Sequence, residues 1–186
     1  MPGWQSDGRG LVLFGPPAAG KDTVTAALTT LDPRHEHFQP LKAGPGRTSG
    51  YRMSNPRDLD RLRARDGVVW TTRRYGAQYV VDVHGLAAIL DRGRVPILHL
   101  AEPAALDELA VRFPDIAWHV VLLSCPRDVA EQRIRARATG DAAARLAAYD
   151  AFQALEHVDQ RVDTAALTPE QAAAAIAASS AVARPR

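Results

Sequence analysis

The sequence predicts an α/β fold of three layers, with helices on both faces of a parallel sheet. Three observations lead there. Continuous apolar runs at residues 11–14, 95–100 and 119–124 have the pattern of strands buried on both faces. Helical periodicity fills the chain between them, and strands alternating with helices pack as a parallel sheet with crossovers. A loop bounded by Gly15 and Gly20 joins the first run to the first helix. The length, 186 residues, suits one domain over 1–186, and no linker or internal repeat divides it.

Composition excludes several classes. Apolar residues make up 46% of the chain and charged residues 24%, a globular balance rather than a disordered or collagen-like one. No run approaches the roughly 18 apolar residues of a membrane span, and the first ten residues lack a signal peptide's apolar core. A cytoplasmic protein without membrane partners is expected. The single cysteine, Cys125, excludes an intrachain disulfide framework and a multi-cysteine zinc site, and its place between an apolar run and a proline reads as a structural thiol. A net charge of +2 gives no electrostatic case for duplex nucleic acid. Apart from Lys21 and Lys42 the cations are arginines, whose planar fork grips phosphate, so their clustering matters more than the total.

In order, the chain reads as strand 11–14, a loop, and helix 20–30. A second strand is expected over 37–41, at an edge or cut short, because Pro40 lacks an amide hydrogen. His35, Glu36 and His37 are too close together for a spaced zinc motif and read as a polar loop. Asn55 and Pro56 start a helix that buries Leu59 and Leu62 and stops at Gly67. Short strands follow at 68–70 and 79–83, then a short helix at 85–91. The regular alternation resumes with strand 95–100, helix 104–113, strand 119–124 and a basic helix over 126–138. Thr139, Gly140 and Asp141 interrupt it, and Asp141 caps a further helix to 156. A last strand at 161–164 precedes a helix whose opening Thr168, Pro169 and Glu170 supply a cap, a first-turn proline and an acidic first turn.

The strongest chemical signal is Gly15-Pro16-Pro17-Ala18-Ala19-Gly20-Lys21-Asp22-Thr23, placed between the first strand and a helix. Its glycines let the backbone curl until amide hydrogens converge on phosphate, the helix N-terminus adds partial positive charge, and Lys21 reaches the terminal phosphates. ATP and Mg2+ are the expected cofactors. The position after the lysine commonly carries a Ser or Thr hydroxyl for magnesium. Here Asp22 offers a hard carboxylate oxygen, directly or through water, with the Thr23 hydroxyl nearby.

Two cationic clusters suggest what happens to a bound triphosphate. Arg133 and Arg137 share a helix face, Arg135 points elsewhere, and Arg145 follows the break at Gly140. The stretch 126–156 is therefore expected to be an arginine-rich lid and following helix that closes over a donor phosphate and neutralises the transferring group. The second cluster comprises Lys42, Arg47, Tyr51, Arg52, Trp70, Arg73, Arg74 and Tyr75, in or beside an insertion at 43–94. It suits a small phosphorylated acceptor: residues 44–50 are too rich in Gly and Pro to be a packed element, and the aromatics can stack on a base.

From residue 11 to 176 the order of parts resembles the guanylate kinase family of nucleoside monophosphate kinases. Gly15-Pro16 through Lys21 resembles that family's ATP loop. Arg47, Tyr51 and Arg52 resemble the residues that hold the acceptor phosphate, Tyr75-Gly76 resembles its Tyr-Gly pair, and Arg133, Arg137 and Arg145 resemble its lid arginines. Val162-Asp163-Thr164 is similar to the last strand of many small kinases. The resemblance implies a three-layer P-loop NTPase fold and phosphoryl transfer from Mg-ATP to a nucleoside monophosphate. A monomer or homodimer is expected.

Three departures leave the acceptor open. Gly-Lys-Asp-Thr is similar to the loop of ribose 1,5-bisphosphate phosphokinases and of some deoxynucleoside monophosphate kinases. Where the family has acidic residues after the insertion, this chain reads Ile97-Leu98-His99-Leu100-Ala101, with Glu102 the nearest carboxylate. Trp70 stands where the family has a guanine-reading glutamate. A sugar phosphate is thus an alternative acceptor. A hydroxyl on a small metabolite is another, and would need a base such as Asp82 or Glu102. A nucleotide-binding module without catalysis is the remaining alternative.

Overall fold

The computed structural model describes residues 8–137 and 140–182. Five strands form one parallel sheet in the order β2-β7-β1-β8-β9: β1 (Arg9–Phe14), β2 (His35–His37), β7 (Val95–Leu100), β8 (Ala117–Ser124) and β9 (Gln160–Asp163). Because side chains alternate across a strand, each apolar run serves two layers. Val12, Phe14, Leu98, Leu100 and Leu122 face α3 (Val83–Leu90) and α4 (Pro103–Arg112) through Leu86, Leu90 and Leu109. Leu11, Leu13, Ile97, Val121 and Leu123 face α1 (Lys21–Leu31) and α7 (Pro169–Val182) through Leu28 and Ile176. The predicted α/β class and three layers are the observed ones, and no helix among the described residues is long and apolar enough to cross a membrane.

A second, mostly antiparallel sheet carries the segment between β2 and α3. Its order is β4-β3-β6-β5: β3 (Leu41–Ala43), β4 (Arg52–Met53), β5 (Val68–Arg74) and β6 (Ala77–Asp82). Helix α2 (Pro56–Ala64) buries Leu59 against Ala43 and Val80 of this sheet, with Leu62 packed beside it. The Asn55 side chain accepts from Asp58 N, a cap worth about 1 kcal/mol. Strands β5 and β6 form a hairpin whose two turn residues, Tyr75 (φ 52) and Gly76 (φ 73), both adopt left-handed conformations. Glycine takes that geometry freely and a tyrosine rarely does.

Several expected boundaries shift. The strand expected over 37–41 is two strands in different sheets: β2 ends at His37 and β3 begins at Leu41, with Pro40 in the crossing where no amide is missed. His35, Glu36 and His37 are this edge strand, not a loop, because parallel pairing with β7 uses their backbone whatever their side chains. The short strands at 68–70 and 79–83 are the longer β5 and β6, and Val83 already belongs to α3, capped by Asp82. The basic helix is α5 (Arg127–Ala136); Thr139 lies outside the described residues. Helix α6 (Ala142–Asp150) stops short of 156, and the Asp141 carboxylate at its start accepts from Arg145 Nε at 2.7 Å instead of capping the helix. The expected cap of α7 is reciprocal: Thr168 Oγ1 accepts from Gln171 N and Gln171 Oε1 accepts from Thr168 N.

Candidate active site

The loop of residues 15–20 leaves the C-terminal end of β1 at the centre of the parallel sheet and runs into α1. Gly15 N donates to Leu100 O at 3.1 Å, and a side chain here would drive into the Leu123 carbonyl, so the loop can lie on β7 and β8 only with glycine. Gly20 turns the chain into the helix at φ 89. Two outside groups fix the curl: Arg133 Nη1 donates to Ala18 O at 3.1 Å, and Thr164 Oγ1 donates to Ala19 O at 3.1 Å. Arg133 also donates to Thr164 O at 2.8 Å, so it braces the loop against the β9–α7 turn and is not among the cleft's lining residues. Arg133→Leu is expected to lower the melting temperature and weaken nucleotide binding together, measured by thermal melts with and without nucleotide.

Lys21 donates to Gly15 O at 2.6 Å and Pro16 O at 2.8 Å, folded back over its own loop. Burial pushes its pKa down to about 8 against the opposing pull of Asp22. A half-buried ammonium whose hydrogen bonds go to neutral carbonyls is poised for an anion. Asp22 faces the same opening, whereas Thr23 is exposed on α1 and is not part of the cleft wall. Of the two expected magnesium ligands, only the carboxylate is therefore aimed into the site. Cys125 is buried, its Sγ 3.8 Å from Ala18 O, and burial raises its pKa, as suits a structural thiol.

A cleft of ≈ 880 Å³ opens beside the loop. Its walls are the loop, the end of β7, the second sheet and the α5–α6 region, and they bring together Pro17, Ala18, Gly20, Lys21, Asp22, Lys42, Arg47, Tyr51, Trp70, Arg74, Tyr75, Glu102, Arg137 and Arg145. Gly15, Pro16, Ala19, Thr23, Arg52 and Arg133 are not in its lining. Lys42 is only 1% exposed and has no carboxylate partner among the described residues. It donates to Arg47 O at 2.6 Å, and its ammonium lies 5.3 Å from the Tyr51 ring centre and 5.7 Å from that of Tyr79. Burial, with Arg47 adding, lowers its pKa. The arrangement is a cationic niche with aromatic walls.

Arg52 departs from the expected role. Its guanidinium pairs with buried Asp82, donates to Gln39 O at 2.8 Å and lies 5.3 Å from the Phe38 ring centre. The physical reason is that β4 pairs beside β3, which turns Arg52 toward the start of α3, where the Asp82 carboxylate also accepts from Gly85 N. Asp82 is thereby spent on structure. Glu102 is also occupied: Trp70 Nε1 at 2.6 Å, Thr72 Oγ1 at 2.8 Å and Arg74 Nη2 at 2.7 Å all donate to it. Burial opposes its ionisation, yet these three donors hold its pKa below the usual carboxylate range. Neither acid is a free base.

Arg145 reaches the cleft from α6, its guanidinium 4.7 Å from the Tyr75 ring centre at the hairpin tip. Exposed Arg137 reaches it from the end of α5. Arg135 is tied to Glu131 on the outer face of the helix. The sequence reading missed His37, His99, Thr72 and Tyr79, all of which line the cleft. Two left a signal: His37 belongs to the His35-Glu36-His37 trio read above as a polar loop, and His99 is a polar residue within an apolar run. Its ring is 4.5 Å from that of His37, its Nδ1 lies 3.5 Å from Asp22 Oδ1, and burial drives its pKa down to about 3.

No protein-family model and no curated protein matches the sequence. Solved structures do match. The guanylate kinase from Anaplasma phagocytophilum superposes with a TM-score of 0.60 at 15% identity, over 93% of this chain and 84% of that one. A protein designated APE1195 gives 0.57 at 15% identity, over 94% of this chain and 96% of that one. At that identity the likeness establishes the fold, a kinase-like α/β fold with a phosphate-loop topology.

Proposed function

We propose that this chain is an ATP-dependent phosphotransferase that moves the terminal phosphoryl group of Mg-ATP to a small phosphorylated acceptor, a nucleoside monophosphate being the leading candidate. The observation that carries the reading is one cleft with two cationic ends: Lys21 and its phosphate loop on one wall, Lys42 and Arg47 on another. The segment 43–94 is then the acceptor side and 126–156 the lid. The fold's likeness to a guanylate kinase supports this division, and Trp70 and the Asp22 loop keep a sugar phosphate as the second acceptor to test.

The residues present suit the cofactors. The loop amides and the α1 N-terminus would cradle the triphosphate, and the Asp22 carboxylate would hold magnesium, which commonly takes one or two carboxylates plus phosphate oxygens. When bound, the ion neutralises charge on the terminal phosphates. Lys21 exchanges its two loop carbonyls for phosphate oxygens. Arg137 and Arg145 supply donors over the transferring group, and Lys42 with Arg47 holds the acceptor's anion in line. An acceptor phosphate is already a nucleophile, which agrees with Asp82 and Glu102 both being occupied.

The test is a product-detected screen of nucleoside monophosphates, sugar phosphates and unphosphorylated nucleosides with Mg-ATP. ATP-dependent phosphorylation of a phosphorylated acceptor is expected; binding of ATP with no transfer to any of them would sink the reading. A pH dependence follows from Lys21. Its folded pKa lies below the usual 10.5, so the free enzyme loses this cation as pH rises through about 8. kcat/KM for ATP, which reports the free enzyme, should therefore fall through that range, and Lys21→Arg should remove the fall.

A further inference from the structure

His99 sits on β7 opposite Leu13 of β1, in the middle of the sheet, yet its ring is surrounded by polar groups. Its Nε2 is 2.7 Å from the Oγ1 of buried Thr25 on α1, and its Nδ1 is 3.5 Å from Asp22 Oδ1. The other carboxylate oxygen, Asp22 Oδ2, accepts from Arg47 Nη1 at 3.3 Å. The His37 ring covers one face of the imidazole. Asp22 is thus flanked on two sides, by the imidazole at ion-pair distance and by a hydrogen bond from Arg47 of the 44–50 loop.

We propose that His99 is a positioning residue for Asp22: a neutral imidazole that carries its single proton on Nδ1, directs it at the carboxylate, and is locked in that tautomer by the Thr25 hydroxyl. The geometry stands alone, and its consequence for transfer rests on the phosphotransferase reading. A neutral imidazole has one donor and one acceptor nitrogen, whereas a carboxylate only accepts. The nitrogen facing Asp22 therefore bears the hydrogen. Nε2 must then accept, and a threonine hydroxyl is free to donate to it. The opposite tautomer would set lone pair against lone pair in a largely buried place, and a doubly protonated ring would add a charge beside Lys21 and Arg47.

Asp22 adjoins Lys21 in sequence and already pairs with Arg47 through Oδ2, so a carboxylate with both oxygens unrestrained would also turn to Lys21 and cancel the charge that phosphates require. With Oδ1 turned toward the His99 Nδ1, an acceptor anion that draws Arg47 away leaves Oδ2 presented to the cleft. Partners that orient a site carboxylate or imidazole are typically worth 10- to 100-fold in activity or affinity.

Nitrogen NMR of the ligand-free protein at neutral pH tests the tautomer, with the His99 signals assigned by their loss in His99→Asn. Protonation at Nδ1 alone is expected, moving toward a mixture in Thr25→Val. Protonation at Nε2 alone, or at both nitrogens, overturns the proposal. In the assay, His99→Leu should lower kcat about 10- to 100-fold. His99→Asn, whose amide N–H can still face Asp22, should recover most of it at the same melting temperature. Equal loss in both variants overturns the positioning role, and so does no loss in either. Because the tautomer is read without nucleotide, absence of phosphotransferase activity would leave this measurement decisive.

Discussion

Lys21→Ala is expected to lower kcat/KM for phosphoryl transfer by about 10³-fold, roughly 4 kcal/mol, the upper range for removing one preorganised electrostatic donor. The same substitution should leave the melting temperature unchanged or slightly raised. The ammonium donates to Gly15 O and Pro16 O, and burial, outweighing the attraction of Asp22, lowers its pKa to about 8, so the charge costs the folded state free energy. Steady-state kinetics with thermal melts separate the two effects. Activity within a few-fold of the parent would remove the assignment of residues 15–23 as the donor loop, whereas loss of fold would mean that Lys21 braces the loop.

The features legible in the sequence are those whose cause is local. The phosphate loop needs Gly15 for its approach to Leu123 and Gly20 for a left-handed turn, and both requirements are met within a few residues of Lys21. Helix starts such as Asn55-Pro56 and Thr168-Pro169 are likewise self-contained. What escaped was decided across the chain. Arg52 finds Asp82 thirty residues on, and Arg133 finds Ala18 and Thr164, so two arginines that read as phosphate binders brace the structure. Trp70, Thr72 and Arg74 share one face of β5 by period-two alternation, but that they converge on Glu102 depends on how β5 packs against α4, at whose start Glu102 stands. His99 was visible as an anomaly in an apolar run, and its partners Thr25 and Asp22 come from the helix packed on β1.

Substitutions of Lys42, Arg47 and Arg52 by methionine should separate acceptor binding from folding. Lys42→Met and Arg47→Met are each expected to raise KM for the acceptor, or lower kcat/KM, by roughly 30- to 800-fold, about 2 to 4 kcal/mol. That is the scale of a charge-assisted contact to a desolvated anion. ATP affinity should change little. Lys42→Met should keep or raise stability, because it replaces a buried cation held by a single carbonyl with an apolar chain of similar shape. Arg52→Met should do the reverse. Losing its guanidinium leaves the Asp82 carboxylate, 2% exposed, with Gly85 N as its remaining hydrogen-bond partner among the described residues. Unpaired buried charges are expensive, and with Arg52 itself partly exposed the loss should be on the order of 2 to 3 kcal/mol, a fall of roughly 5–10 °C. Acceptor KM should stay near the parent value. Arg137→Met should lower kcat with acceptor KM little changed, because it reaches the cleft from the lid and acts on the transferring group. If Arg52→Met instead raised acceptor KM at unchanged stability, its guanidinium would have to leave Asp82 for the substrate, and Arg52 would belong with the acceptor site after all.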